Sequence, residues 1–483
     1  MLENLEPKSA FKFFEEISDI PRGSGNEKGI SDYLVAFAKA RGLWSHQDRV
    51  LNVLIKKPGT KGLENAKAVI LQGHMDMVCE KNAATVHDFE NDPLKLVVDG
   101  DFLKAKGTTL GADNGSAVAM SLAILDSSDI PHPPLEVLIT SGEEIGLLGA
   151  AEFDVGLLEG KLLLNMDSGG EGVFCVCCAG GARVDLCYEP DYCELPAGYA
   201  VKTLTVKGLK GGHSGIDITK ERANSNRLLG RALRILQSKF AVQFTDINGG
   251  SKENAIPREA QAVIAFADAK GGELAAEVKQ IEQTFRREYA RHDEGLELCL
   301  EDCKENVKKV FTQSLCSKIV SALLMIPNGV QAMTLVFDGL PETSMNIGVV
   351  TTKEDAVVIA SSVRSSVGSR KEMLIEQLRV VAEATGADVK MSGVYPAWEY
   401  NEKSVVREKA MKLFAEMFGR EGVVEGTHGG LECGIFYDKI AGVDIVSFGP
   451  DIDEMHTPEE RMGISSFKRV WDFLVKLLAE LGK

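Results

Sequence analysis

Two hydrophobic rhythms alternate over the first 170 or so residues. Spans 9–20 and 26–41 carry apolar side chains at helical spacing and are separated by Pro21, which predicts two amphipathic helices. Short apolar runs at 50–55, 66–71, 135–139 and 162–165 are bounded by Gly, Pro or polar residues and predict buried strands. The span 114–126 reads as a helix between two of them. Runs 95–98 and 102–104 flank Asp99-Gly100, a dipeptide favoured in hairpin turns. Helices and strands in alternation predict an α/β layer domain with a mainly parallel sheet and helices on both faces.

From about residue 185 to 392 the rhythm changes and a weak internal repeat emerges. The first unit reads strand 201–206, helix 225–237, strands 240–246 and 260–267, helix 273–289 and strand 296–300. The second reads helix 312–326, strands 344–350 and 356–363, helix 371–384 and strand 388–391. Leu229, Ala232, Leu233 and Leu236 form a helical stripe in the first unit, matched by Leu315, Ile319, Leu323 and Ile326 in the second. This predicts an α+β insertion made of two ferredoxin-like repeats. Beyond Trp398 the α/β style returns, with helix 403–418, a Gly-rich turn at 426–430, strand 443–447 and a closing helix. That helix carries Phe467, Val470, Trp471, Leu474, Leu477, Leu478 and Leu481 on one face. The expected organisation is therefore one α/β domain, 1–184 and 393–483, interrupted by a lid domain at 185–392.

Composition narrows the functional classes. The 483 residues are 44% hydrophobic and 26% charged, which excludes disordered, collagenous and low-complexity chains. Acidic residues outnumber basic ones by 71 to 54, a net charge of −17, and no basic block stands ready to neutralise phosphates. Nucleic acid and anionic membrane surfaces are thus poor partners. No run of 18 apolar residues is present. The ten cysteines accompany a start without a signal-peptide pattern, so free thiols and a cytoplasmic location are expected. The carboxylate surplus has two readings: a solvated surface, or some groups drawn inward onto a cation.

Four segments favour the second reading for a few of those groups. In each, an apolar stretch runs into carboxylate or imidazole: Val69–Leu71 into His74 and Asp76, Leu110-Gly111-Ala112 into Asp113, Val137–Ile139 into Glu143-Glu144, and Leu163-Leu164 into Asp167. Strand carboxyl ends of an open parallel sheet converge on one edge, where ligands bind. Imidazole with carboxylate suits zinc, cobalt or manganese better than calcium. Extended backbone puts His74 and Asp76 on one side, so His74 can ligate while Asp76 orients it. Of the adjacent Glu143 and Glu144, one can face an ion and the other is left as a proton acceptor, as metal-assisted hydrolysis requires. Asp113 and Asp167 complete the set, with Asp113 able to bridge two ions. A fifth segment, Phe448-Gly449-Pro450 through His456, can return a histidine to the same edge.

These residues, as an ordered set, resemble the co-catalytic di-zinc metallopeptidases that include carboxypeptidases, aminoacylases, tripeptidases and carnosine-type dipeptidases, most closely the bacterial aminoacyl-histidine dipeptidases. The resemblance covers essentially the whole chain. It implies Asp113 as the bridging ligand, His74 and Asp167 on one ion, Glu144 and His456 on the other, Asp76 orienting His74, and Glu143 as general base. It implies a cis peptide at Asp113-Asn114, and two divalent ions, Zn2+ first with Co2+ or Mn2+ as alternatives. Gly211-Gly212-His213-Ser214-Gly215 resembles the lid histidine motif, Asn254-Ala255-Ile256-Pro257 the lid asparagine motif, and Arg364 the arginine that clamps a substrate carboxylate. Asn346-Ile347-Gly348 occupies in the second unit the place of Asn254 in the first. Thr427-His428-Gly429-Gly430 departs from the family by an extra histidine, and its glycines, Gly430 among them, can offer N–H groups to a carboxylate. The implied activity is hydrolysis of short unblocked dipeptides, including Xaa-His dipeptides such as carnosine, by a homodimer. A tripeptidase or N-acyl amino acid hydrolase on the same fold, and a metal-dependent peptide binder without turnover, are the alternatives; Glu143 argues against the binder.

Other histidines and the cysteines receive bland readings. His46, His87, His132 and His292 lack acidic strand-end context and are expected at the surface. Cys175, Cys177 and Cys178 have no second pair at zinc-site spacing, and Cys79 is expected to pack. Gly107–Gly115 lacks phosphate-loop spacing, and no Gly-x-Ser-x-Gly elbow is present.

Overall fold

The three strands that end in chemistry-bearing clusters lie side by side. In the computed structural model, which describes residues 2–168 and 170–483, Val69–His74 pairs in parallel with Leu135–Thr140 on one side and Leu162–Asn165 on the other. All six residues of Val69–His74 and of Leu135–Thr140 are buried, as near-continuous apolar runs in a covered parallel sheet should be. Asp444–Ser447 continues the parallel set beside Leu162–Asn165, and Val53–Lys57 and Trp44–Gln47 extend it antiparallel on the far side. The sheet is thus mixed, and its parallel centre carries the expected ligand segments.

Helices cover this sheet through the stripes visible in the sequence. Lys8–Ser18 buries Phe11, Phe13, Phe14 and Ile17. The closing helix Ile464–Leu481 buries every residue of its expected face and Phe473 besides. Phe473 joins Phe174, Phe414 and Phe448 in a cluster of tilted and edge-on rings with centroids 5.3–6.1 Å apart.

The chain divides into two compact units: the residues up to Cys178 with Trp398–Thr427 and Leu431–Lys483, and Ala179–Ala397 with His428–Gly430. The expected boundaries at 184/185 and 392/393 would have cut two strands. Gly180–Tyr188 pairs along its whole length with Val357–Ser365, and Asp388–Tyr395 pairs with Gly180–Tyr188, so both strands belong entirely to the second unit.

The second unit contains the two expected repeats, but in an order that differs from the expected one. Its main sheet runs Glu297–Asp302, Tyr199–Lys207, Ala260–Ala267, Gln243–Gly249, then Pro341–Thr352, Val357–Ser365, Gly180–Tyr188, Asp388–Tyr395. The first four are the fourth, first, third and second strands of one ferredoxin-like half; the last four are the second, third, first and fourth of the other. The first strand of the second half is therefore Gly180–Tyr188, upstream of the whole first half, which is inserted between it and the helix Gln313–Met325. The second half does not begin at its helix, because its opening strand is separated from that helix by more than a hundred positions of chain.

The halves meet where Gly249 pairs with Val350, and buried asparagines staple the seam. Asn224 Nδ2 donates to Asn328 Oδ1 (3.1 Å), Asn346 Oδ1 (3.2 Å) and the Ile347 carbonyl (3.0 Å). Asn346 Nδ2 donates to the carbonyls of Glu253 (3.0 Å) and Ala255 (2.8 Å). Asn346 is thus not a second copy of Asn254, which is exposed; it holds the backbone on either side of it. The chains approach so closely here that a side chain at Gly348 would collide with the Glu253 backbone.

Two of the histidines expected at the surface are buried. His132 is fully enclosed, with Nδ1 2.7 Å from the Pro133 carbonyl, and His87 packs edge-on against Phe89 at 4.5 Å. Cys175, Cys177 and Cys178 are all core, Cys79 is exposed, and the ten thiols are free. No helix among the described residues is long and apolar enough to cross a membrane.

Candidate metal centre and active site

At the carboxyl edge of the parallel strands, two triads share one carboxylate. His74 Nε2 lies 3.2 Å from Asp113 Oδ1 and 3.5 Å from Asp167 Oδ1. His456 Nε2 lies 3.3 Å from the other oxygen of Asp113 and 3.2 Å from Glu144 Oε1. Within each triad the candidate ligand atoms lie within 4.8 Å of one another, and His74, Glu143 and Glu144 form a third such group. The five residues expected as ligands are therefore brought together from segments 382 positions apart at the extremes, from His74 to His456.

The electrostatics of this cluster fit cations. Burial raises Asp167 to about 7, helped by Asp113 and opposed by His74. Burial also pushes Glu143 well above the carboxylate range, with Asp167, Glu432 and Glu144 adding to it. Asp113 goes the other way: burial opposes its charge, but His456 and His74 hold it below the usual range. Asp113 and Glu144 in turn raise His456 to about 10. Carboxylates crowded at this density repel unless positive charge is supplied. Glu144 Oε1 is buried, and its nearest charged neighbour is His456 Nε2 at 3.2 Å. Hard carboxylate oxygens with two imidazole nitrogens match the donor set of zinc, cobalt or manganese.

Asp76 locks the geometry of both the first histidine and the Glu143-Glu144 turn. His74 Nδ1 sits 3.1 Å from the Asp76 carbonyl and 3.4 Å from its carboxylate, which leaves Nε2 toward Asp113 and Asp167. The same carboxylate accepts from the N–H of Glu143 (3.1 Å), the N–H of Glu144 (3.2 Å) and Ser24 Oγ (2.8 Å). Burial works against its charge, but His74, Ser24 and Glu143 keep it below its ordinary value. One side chain thus couples the tips of two adjacent strands.

Several residues of this centre carry no signal in the sequence. The helix Ala112–Asp126 opens with non-helical Asp113 and Asn114 joined by a cis peptide, as the family resemblance implied. Asn114 then accepts from the His74 N–H (3.2 Å) and donates to the Met166 carbonyl (2.6 Å), bracing both neighbouring ligand segments. Arg22 is buried and donates to the carbonyls of Met75 (3.0 Å) and Gly111 (2.6 Å). Glu460 accepts from four consecutive backbone N–H groups, Leu110 to Asp113. Glu432, fully buried and raised to about 8 by burial, accepts from Gln72 (2.5 Å) and Thr140 (2.7 Å). A single Arg or Glu outside an apolar stripe has no periodicity to betray it, so only folding shows what each one holds.

In the second unit, the remaining site candidates form a separate group. A Cβ on Gly215 would lie 3.0 Å from His213 Cε1 and 3.5 Å from Arg364 Cζ, so this glycine lets the imidazole and guanidinium approach. Burial and Arg364 together lower the pKa of His213, favouring the neutral ring. Arg364 Nη1 donates to Tyr395 Oη (3.3 Å) and the His428 carbonyl (3.4 Å). The Tyr395 ring is packed against Gly430 and Gly181, where added Cβ atoms would come within 2.7 and 2.5 Å of it. Asn254 joins only through backbone: its carbonyl accepts from the Ser214 N–H (2.8 Å), next to the pair His213–Ala255.

Fold and site together define a metallopeptidase, and the comparisons with known proteins agree. The Peptidase dimerisation domain matches residues 204–293, within the second unit. The chain belongs to the M20 metallopeptidase family. It is 38% identical over 480 residues to the cytosol non-specific dipeptidase of Escherichia coli K12, covering 99% of each chain. It superposes on the crystal structure of aminoacylhistidine dipeptidase from Vibrio alginolyticus with a TM-score of 0.91 at 38% identity, covering 99% of this chain and 98% of the other. The aminopeptidase PepT of Bacillus cereus shares the fold at 16% identity and a TM-score of 0.57 over 99% and 100% of the two chains.

Proposed function

We propose that this protein is a cytoplasmic, metal-dependent dipeptidase that cleaves short unblocked dipeptides, Xaa-His dipeptides such as carnosine among them. The observation that carries the reading is the pair of triads sharing Asp113, with Glu143 beside them. His74, Asp113 and Asp167 would hold one divalent ion, and Asp113, Glu144 and His456 a second, most simply Zn2+, with Co2+ or Mn2+ as alternatives. Such ions supply Lewis acidity and lower the pKa of water. Glu143 is the general base that accepts the proton and returns it to the leaving amine. Asp76 keeps His74 in the tautomer that directs Nε2 inward.

Substrate recognition is assigned to the second unit, read as the lid. Arg364 would clamp the free carboxylate through its planar fork, with Gly430 offering a backbone N–H. The neutral His213 would donate to the scissile carbonyl oxygen as it gains charge, and Asn254 would contact the same end of the substrate. Capture of a free carboxylate by such a clamp limits substrate length and so favours dipeptides. The names of the similar proteins support that class, and the dimerisation-domain match supports a homodimer.

Metal content and a panel of dipeptides, tripeptides and N-acyl amino acids test the reading together. Wild type is expected to hold two ions per chain and to prefer dipeptides. Glu143→Ala should keep both ions and lose about 100- to 10,000-fold in kcat. Full activity in that variant would overturn the mechanism, and a preference for tripeptides or N-acyl substrates would move the protein to its neighbours on this fold.

A further inference from the structure

Asp113, which both triads share, and His456 of the second triad come from segments 343 positions apart in the chain. Glu460 spans them. Its Oε2 accepts from the N–H groups of Leu110 (2.8 Å) and Gly111 (2.9 Å), and its Oε1 from those of Ala112 (2.8 Å) and Asp113 (3.3 Å). Four successive amides converge on one carboxylate because Gly111 takes a left-handed conformation, φ 65°. A concavity of backbone N–H groups of this kind is an anion cradle, and here a side chain of the same chain fills it. Glu460 is buried, with 3% of its surface exposed.

The other end of Glu460 is fixed to His456. The Glu460 N–H donates to the Thr457 carbonyl (3.1 Å), and Thr457 Oγ1 donates to the Glu454 carbonyl (2.8 Å), closing a tight turn around the ligand. Glu454 and His456 both sit at positive φ, 53° and 63°. Left-handed backbone at two non-glycine residues persists only where surrounding contacts over-determine it. The His456 side chain itself is half-exposed, so its position depends on the turn that carries it.

Resting on the assignment of Asp113 and His456 as ligands, we propose that Glu460 is a positioning residue: it ties the Asp113 loop to the His456 turn and thereby sets the spacing of the second metal site. Arg22 secures the opposite side of the same loop, through the Gly111 carbonyl, to the strand end that bears His74 and Asp76. The loop is held by its amides from one side and a carbonyl from the other, with the bridging carboxylate between.

Metal titration of the full-length apoprotein against a competing chelator tests this, with Zn2+ and with Mn2+ as probes. Glu460→Gln replaces one acceptor oxygen by a donor facing two amides, and Glu460→Asp keeps the charge one methylene short. In both variants, one of the two equivalents is expected to bind about 10- to 100-fold more weakly, the range for outer partners of metal ligands. Hydrogen exchange at amides 110–113 is expected to speed up, and Glu459→Gln, at the exposed neighbour, should change neither readout. Wild-type affinity for both equivalents in the two Glu460 variants would overturn the proposal. Equal weakening of both equivalents, together with a lowered melting temperature of the apoprotein, would do the same, as the mark of a merely structural residue. A wild type that binds fewer than two ions would overturn the ligand assignment itself, and the proposal with it.

Discussion

His428 offers a quantitative test of the second unit. Its ring is buried, Nε2 lies 2.7 Å from Ser344 Oγ, Nδ1 has no hydrogen bond, and the Arg364 guanidinium lies against its carbonyl. Burial first and Arg364 second disfavour the imidazolium, while the Pro341 carbonyl opposes them weakly, and the pKa falls to about 4 from 6.5. In the unfolded chain the same ring takes up its proton near 6.5. Between those values the unfolded state binds more protons, so stability is full above pH about 6.5 and declines as the pH falls toward 4. Each tenfold change in proton affinity is worth about 1.4 kcal/mol, so the full decline amounts to about 3 kcal/mol, and it levels off below the folded value. His428→Gln removes the titration. The stability gap between wild type and variant should therefore shrink by about 2–3 kcal/mol between pH about 7 and 4.5, followed by amide exchange of the strand Val357–Ser365. Imidazole signals of His428 should remain those of the neutral ring down to pH about 5. A gap that stays constant with pH, or widens toward acid, would refute the reasoning.

Glu171, almost enclosed, meets Arg420 and Arg469, each at 2.6 Å. Burial opposes its charge, but the two arginines hold its pKa below 4.5, so its contribution is present above that value and lost as pH falls through the folded one; Glu171→Gln should cost about 1–2 kcal/mol near neutrality, the arginines being half-exposed, and progressively less as acid is added, read by chemical denaturation. Asn346→Ala leaves the Glu253 and Ala255 carbonyls without their donor at the seam of the second unit, and a loss of about 2 kcal/mol or more is expected in thermal melts; a loss below about 0.5 kcal/mol would show that these bonds do not hold the seam. Added Zn2+ at about 100 times its Kd should stabilise the apoprotein by about 2.7 kcal/mol for each site it fills, and Asp113→Asn should abolish most of that gain, since both triads use Asp113.

The candidate centre was legible because most of its expected ligands sit at a strand end or helix start with a clear apolar pattern. Val69–Leu71 before His74, Val137–Ile139 before Glu143, and Leu162–Asn165 before Asp167 announce buried parallel strands, and parallel strands share one carboxyl edge. His456 follows no such strand directly; the residues offered only a fifth segment, after Phe448-Gly449-Pro450, able to return to this edge, and the family resemblance assigned it as a ligand. The braces were invisible for the opposite reason. Arg22, Asn114, Glu432 and Glu460 act on distant segments, three of them through backbone groups, and a backbone acceptor or donor has no signature in the sequence of its partner. His87 and His132 were expected at the surface because no acidic strand end adjoins them, yet the Pro133 carbonyl meets His132 Nδ1 and Phe89 packs against the His87 ring, contacts that only the fold supplies.

By itself, then, the sequence determined most of the elements, the two ferredoxin-like halves, the acidic surplus and the candidate ligand segments, since periodicity and residue type are local properties. Only the tertiary structure decided that Gly180–Tyr188 belongs to the far half of the second unit, that the units divide at Cys178 and Ala397, and that Asn346 holds the backbone on either side of Asn254. It also decided that Glu460 grips the Asp113 loop across 347 positions of chain. Strand pairing and hydrogen bonds to backbone join residues by distance in space, and that distance is set by the packing of the whole core and by no pattern along the chain.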